Sequence, residues 1–508
     1  MASEGWVKTK LRDLEYKVNH IKQGDIKYRI GENTDETTNE IIIENSSTST
    51  FLADIDTPTS YTGSGSFYVR VNTAADGLEF VSSSGTGGGG YPLNHLVVAS
   101  AGGDYTTLGA ALNSISGDST RIFIKDGTYI ETADISFSWS NNATNYIEII
   151  GESENVYIDF NSASNSLEFK GNSTAYITIR LSNIFFQNAT SSWLTLQYLN
   201  KSYFNFSHTN NYHIDVRYIN KSTFLNPLMH AGYKPRNEFK YNFLYCREFL
   251  GKTSNGYNYV YNSESADFSY NIAYVNYVSA YRTFYLANSD YNELHIGYIN
   301  DSSYPFYLTN NCSGNKLFLN FDNDSYRTVI EGDNNSLYFN RLRGNPNNSS
   351  FASLEIKGDY NTANINRLYS QDVNNPILIC TGDYNKIKTN DIKQGSHNGT
   401  TTYISGDYNE IKTNYNSEDV KIAGTGNKYE CFNVENNILI TGNKCKIINT
   451  NTNDLNVEGD DNFFSGNYFV DVDLSSSNTN IFVGCQWDSL TASTTTNLTD
   501  TTCCNIEY

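Results

Sequence analysis

Four stretches decide the fold: IEGDNNSLYFN (Ile330–Asn340), IKGDYNTANIN (Ile356–Asn366), CTGDYNKIKTN (Cys380–Asn390) and ISGDYNEIKTN (Ile404–Asn414). Each starts on an apolar residue or Cys, with Gly two residues on, Asp three on and Asn five on. IAGTGNKYECFN from Ile422 and VEGDDNFFSGN from Val457 continue the series, and weaker copies start at Asn288, Asn311 and Ile440. The recurring asparagines are Asn292, Asn315, Asn335, Asn361, Asn385, Asn409, Asn427, Asn443 and Asn462, about one every 21 residues. A repeat of that length belongs to a solenoid.

Parity says which kind. Two and four residues after the Asn come Leu294 and Ile296, Leu317 and Leu319, Leu337 and Phe339, Ile387 and Thr389, and Ile411 and Thr413. Glu293, Lys386, Lys388, Glu410 and Lys412 fall between them. That is strand alternation, apolar side in and charge out. The asparagines therefore point inward at the start of a strand. In coils stacked about 4.8 Å apart they form a hydrogen-bonded ladder. The Gly is predicted to supply a positive φ and the Asp to brace the turn locally. A leucine-rich repeat would need L-x-x-L-x-L, and a propeller a period of about 40 to 45 residues with Trp-Asp signatures. The reading is an all-β chain whose bulk is a parallel β-helix.

Working outward, this solenoid is expected over residues 91–490. It opens with HLVVASAGGDYTTLGAALNSIS from His95. Gly102, Gly103, Asp104, Tyr105, Thr106 and Thr107, followed by Lys125-Asp126-Gly127-Thr128-Tyr129, resemble the entrance to pectate-lyase-like and pectinesterase-like folds. That resemblance implies a right-handed parallel β-helix. The first coil has an open end that must be covered. Leu108, Ala111, Leu112 and Ile115 give a short helix the apolar face to do so.

Before the solenoid, Val7, Leu11, Leu14, Val18 and Ile21 make a heptad seam. A short coiled-coil helix over 1–24 is expected, joining chains. Residues 25–90 read as a small β adapter with a Gly-rich linker at 82–90. Within it Asp56, Thr57, Pro58, Ser60, Tyr61, Gly63, Val71, Asn72, Gly77, Leu78, Glu79, Phe80 and Val81 resemble a short module of tailed-phage tail fibres and tail spikes. Residues 491–508 form a C-terminal tail, expected to cover the far end or lie between chains.

The 508 residues carry 35 basic and 55 acidic side chains, a net charge of −20. That argues against a nucleic-acid partner, which needs clustered Lys and Arg. No apolar run reaches the roughly 18 residues of a membrane span, so no membrane insertion is expected. The N-terminal stretch lacks the apolar core of a secretory signal. The eight cysteines form no CxxC pair, so no metal and no cofactor is expected, and buried free thiols are. Whether Cys503 or Cys504 joins Cys485 is left open.

Two features point at sugars. Tyrosines crowd residues 241–307, and Tyr257, Tyr259 and Tyr261 alternate so as to share a face. With Tyr281 and Tyr285 they are the candidate glycan-binding residues, an outward strip for stacking on pyranose rings. The competing reading places these rings in the core or between chains. Acidic residues near turns are the second feature: Asp267, Asp290, Asp322, Asp324, Glu331 and Asp333. A glycosidase needs two carboxylates about 5–9.5 Å apart. Asp333, Asp359, Asp383 and Asp407 share one turn slot, which marks it as structural, and no catalytic pair is assigned.

As a whole the chain resembles a tail spike or tail fibre of a tailed phage. The resemblance implies a homotrimer, assembled in the host cytoplasm and carried on the virion tail. Its N-terminal region would attach to other tail or baseplate proteins, and its β-helix would meet host surface polysaccharide. Three readings follow: a receptor-binding protein, a polysaccharide depolymerase (hydrolase or lyase), or a structural spacer. Exposed aromatics without a carboxylate pair beside them favour the first. Such a pair beside the aromatics favours the second, and internal tyrosines the third.

Overall fold

The computed structural model describes residues 67–71, 78–82 and 94–498, except 116–118, 139–145, 162–164, 174–175, 190–192, 210–213, 230–232, 236–237, 251–260, 263–266, 280–281, 302–303, 324–325, 345–351, 371–375, 395–400, 418, 475–478 and 493–496. The chain divides into two compact units, Met1–Gly85 and Thr86–Tyr508. In the first, strands Phe67–Val71 and Leu78–Ser82 pair antiparallel, with Val69 opposite Phe80. The expected seam of Val7, Leu11, Leu14, Val18 and Ile21 lies outside the described residues, as do Cys503 and Cys504.

The second unit is nearly all β. Its strands stack in parallel, coil on coil: Asn94–Val98 on Thr120–Ile124, Ser336–Gly344 on Thr362–Ser370, and Thr479–Val483 on Asn497–Leu498. Strand Ser336–Gly344 buries Leu337 and Phe339, turns Asn340 and Arg341 outward in succession, then buries Leu342 and Gly344. Two outward residues in a row break the alternation and bend the strand. Thr362–Ser370 bends at the same register. Each long strand thus supplies two faces of the coil, and a short strand such as Leu354–Ile356 supplies the third. Leu294, Leu317, Leu337, Ala363, Ile387 and Ile411 stack in one inward column and are buried.

Beside that column runs the asparagine ladder. The Oδ1 of Asn315 accepts the backbone N–H of Asn292 at 3.0 Å, and Asn335 accepts that of Asn315 at 2.9 Å. The same bond joins Asn335 to Asn361, Asn361 to Asn385 and Asn385 to Asn409 at 2.8 Å, and Asn409 to Asn427 at 2.7 Å. The ladder reaches further than the repeat suggested. Asn242, Asn271 and Asn480 occupy the same position, and Ser202 and Ser222 begin it.

Asn443 does not belong to it. It is exposed, and Cys445 takes the inward position. In Gly442-Asn443-Lys444-Cys445 the Asn stands in the Asp slot, and its Oδ1 accepts the N–H of Asp460 at 2.7 Å. The Cys445 thiol is a weaker partner, donating to Gly424 O at 3.3 Å. Cys445→Asn should restore a carbonyl acceptor for the Asn427 N–H and stabilise the fold by about 1 kcal/mol, read as a higher urea midpoint. An unchanged or lower midpoint would contradict the ladder at this coil.

The glycines and aspartates work differently from the sequence reading. Gly332, Gly358, Gly382, Gly406, Gly424, Gly442 and Gly459 do not carry the positive φ, which falls two residues later at Asn334, Tyr360, Tyr384, Tyr408, Gly426, Lys444 and Asp461. They are glycine because stacked turns touch: a Cβ on any of them would lie 1.9–2.2 Å from a carbonyl oxygen of the preceding coil. The Asp reaches forward to the next coil: Asp359 Oδ1 accepts Asp383 N–H at 2.7 Å, and Asp383 accepts Asp407 N–H at 2.6 Å.

Helix Leu108–Asn113 buries Leu108, Ala111 and Leu112 over the first coils. Thr107 caps it by accepting Ala110 N–H, and the buried Glu131 carboxylate accepts the N–H groups of Leu108 at 2.7 Å and Gly109 at 3.2 Å. Burial raises the Glu131 pKa above its ordinary 4.5, and the bonds from Gly109 and Leu108 only partly offset this. The folded chain therefore holds this proton to higher pH than the unfolded chain. Its contribution to stability falls as pH rises from about 4.5 through the raised value. Glu131→Gln keeps an acceptor oxygen without the charge. Its Tm–pH curve should lack this falling segment, whereas superimposable curves would contradict the assignment.

Candidate functional site

The two ladders pin each turn from both sides, and this fixes what the turn presents outward. Between Asp383 and Asn385 stands Tyr384 at φ 54°. Tyr241, Tyr270, Tyr291, Tyr360 and Tyr408 share that left-handed conformation, each immediately before a ladder asparagine. The conformation costs a side-chain-bearing residue about 1 kcal/mol. All six rings are about half exposed.

They form two columns. Tyr241, Tyr270 and Tyr291 stack with centroids 5.0 and 5.3 Å apart, and Tyr360, Tyr384 and Tyr408 at 5.0 and 5.2 Å. Each column ends on a glycine, where a Cβ at Gly314 or Gly426 would lie 2.7 Å from the Tyr291 or Tyr408 ring. The geometry differs from the expected sugar-stacking strip. Rings stacked face to face cover one another's faces, so along the column only edges and hydroxyls meet solvent.

A second aromatic column lies on the long strands. Tyr274, His295 and Phe318 stack at 4.2 Å steps, and Tyr338 follows at 4.9 Å. His295 Nε2 lies 2.8 Å from Glu293 Oε1, and this hydrogen bond lowers the Glu293 pKa. Across the strand bend, Tyr277, Tyr298 and Phe321 stack at 5.7 and 5.3 Å, and the Arg341 guanidinium covers Phe321 at 4.6 Å. At the bend itself runs a line of outward amides. Asn340 donates to Asn320, Asn366 to Asn340, Asn390 to Asn366 and Asn414 to Asn390, at 2.7–3.3 Å. One coil before Asn320 the register places Gly297, and one before that Asn276. The result is a groove of about 360 Å³ with Gly297 as floor, the Tyr274–His295–Phe318–Tyr338 column as one wall, and Asn276, Asn320 and Asn340 along it.

Of the five tyrosines singled out from sequence, Tyr257, Tyr259 and Tyr281 lie outside the described residues. Tyr261 opens the two-residue strand Tyr261–Asn262, with its backbone beside Phe284. Tyr285 is half-buried on the third face and stacks on Tyr307 at 5.0 Å. The exposed columns were missed, yet their signal was present: in GDYN the Tyr precedes an inward Asn and so must point outward.

The described acidic candidates are spoken for by the fold, Glu331 by Lys357 at 3.4 Å. Asp267 pairs with Lys240 at 2.7 Å, Asp290 and Asp333 accept turn N–H groups of the next coil, and Asp322 is fully buried. Asp324 lies outside the described residues. Another acidic group lines a cavity of about 750 Å³ on the third face: Asp419, Asp454, Asp471 and Asp473, with Lys421 and Ser489. The register sets Asp454 and Asp471 on adjacent coils, and among the described residues no aromatic side chain lines that cavity.

Cys246, Cys312, Cys380, Cys431 and Cys445 are free and buried, and Cys485 is buried. Burial pushes the thiols of Cys312 and Cys380 up to about 12 and those of Cys431 and Cys445 to about 11. Such thiols stay protonated and are poor nucleophiles. Among the described residues no group of three or more His, Cys, Asp or Glu could hold a metal ion. Comparison with protein-family models and with curated proteins found no match to the chain.

Proposed function

We propose that this chain is a virion attachment protein of the tail-spike or tail-fibre kind, which recognises host surface polysaccharide with its β-helix. The observation that supports it is the set of half-buried aromatic and outward amide columns on the long-strand faces, apart from the acidic cavity. Regularly spaced rings and amides suit a polymer lying along the coils, since each coil offers the next repeat of it. The winding is taken as right-handed, the near-universal hand of parallel crossovers. The N-terminal region would attach to other tail or baseplate proteins, the assembly being a homotrimer built in the host cytoplasm.

A depolymerase is the second reading. Asp454 and Asp471 favour it, because side chains at matching register on adjacent coils stand about 5 Å apart, close to the spacing of a retaining pair. One experiment addresses both readings. Purified protein is incubated with host envelope polysaccharide, and binding, new reducing ends and unsaturated sugars are followed. Saturable binding without new ends is the expected outcome. New ends or unsaturated sugars would favour the depolymerase, and neither binding nor cleavage would contradict both.

A further inference from the structure

The outward amide line has a direction and an open end. Each Asn gives its Nδ2 hydrogens to the Oδ1 of the Asn one coil earlier, from Asn414 back to Asn320. The next acceptor should stand at position 297, where Gly provides no side chain. One coil further back stands Asn276, whose Nδ2 already donates to the Tyr245 hydroxyl at 2.8 Å. The line thus lacks one rung, with a donor on the Asn320 side of the gap and an acceptor, Asn276 Oδ1, on the other.

The gap is built into the backbone. A Cβ at position 297 would lie 2.6 Å from the Asn276 carbonyl oxygen, so no side chain can fill it. The open end is also polarised, because hydrogen bonds in series strengthen one another. Beside it stands the tightest part of the aromatic column, His295 between Tyr274 and Phe318.

From this we infer that the groove at Gly297 binds an acetamido group, the substituent of a 2-acetamido sugar, as the missing rung. The ligand carbonyl accepts from Asn320 Nδ2, its N–H donates to Asn276 Oδ1, and its methyl lies against the edges of the His295 column. A secondary amide carries one donor and one acceptor on opposite sides, which the gap requires. A hydroxyl in its place is too short to reach both asparagines, about two coils or 9.6 Å apart. The inference rests on the polysaccharide-binding reading and narrows it to N-acetylated glycans.

The test uses the full chain and methyl glycosides of N-acetylglucosamine, N-acetylgalactosamine and N-acetylmannosamine, each beside its parent hexose. Saturation-transfer NMR and calorimetry read binding. Expected are saturation strongest at the acetyl methyl, at least tenfold weaker binding of the parent hexoses, and a similar loss in Asn320→Ala and Asn276→Ala. Both positions are on the surface, and an unchanged thermal melt shows that the variants are folded. Equal binding of acetamido sugar and parent hexose, or full affinity in both variants, would overturn the acetamido site. Saturable binding of host polysaccharide with no transfer to any acetamido sugar would overturn the site and leave the polysaccharide reading standing. No binding of either would remove both.

Discussion

Gly382→Ala is expected to lower the stability of the β-helix by about 3 kcal/mol or more, the upper end of overpacking costs. The added Cβ would lie 2.1 Å from the Gly358 carbonyl oxygen and 2.6 Å from its carbonyl carbon. Both are backbone atoms, so no rotamer change relieves the clash. Moving the turn apart would break the bonds that hold the coils at this corner, Thr381 N–H to Ile356 O at 2.9 Å and Asp383 N–H to Asp359 Oδ1 at 2.7 Å. Gly484 provides the contrast. It has φ 60°, and a Cβ there would meet nothing within 4 Å. Asn tolerates that conformation, so Gly484→Asn should change stability by less than about 0.5 kcal/mol. Urea midpoints of the two variants give the comparison, and a Gly382→Ala chain as stable as the parent would mean that the turns do not touch.

Asn315→Leu is expected to cost about 3 kcal/mol. The Asn315 side chain accepts from both the backbone N–H and the Nδ2 of Asn292, and donates to Ser289 O at 2.7 Å and Asn335 Oδ1 at 3.0 Å. Leu has nearly the same shape, so the change isolates the polar term. It strips the Asn292 N–H of its partner inside a buried column, and an orphaned buried group costs about 1–3 kcal/mol. Asn292 Nδ2 and Asn335 Oδ1 each lose a bond besides. Equilibrium unfolding measures the loss, and a Leu variant at least as stable as the parent would show that the core wants only volume at this position.

What the sequence revealed and what it hid have physical causes. The inward Asn was legible because a two-residue alternation starts from it in nearly every coil. Asn443 misled because Gly442-Asn443 looks like Gly-x-x-Asn slipped by two, and only the register shows Cys445 taking its place. The glycine column was found but misexplained: a glycine needed for positive φ and one needed for close approach look identical in a sequence. The stacked columns were hidden for another reason. Successive coils differ in length, so Tyr274, His295, Phe318 and Tyr338 come into line only once the register is known. The same holds for the gap at Gly297, which is visible only against Asn276 and Asn320. Of the five tyrosines singled out for glycan contact, Tyr257, Tyr259 and Tyr281 lie outside the described residues.

Backbone amide exchange at the ladder asparagines tests the stacked-coil ladder most directly. The N–H groups of Asn271, Asn292, Asn315, Asn335, Asn361, Asn385 and Asn409 are each buried and bonded to the side-chain oxygen of the following coil. They should exchange as one slow block, at rates set by opening of the whole domain. Exchange of these amides as fast as that of exposed turn residues would contradict the ladder, and with it the coil stacking that places every outward column.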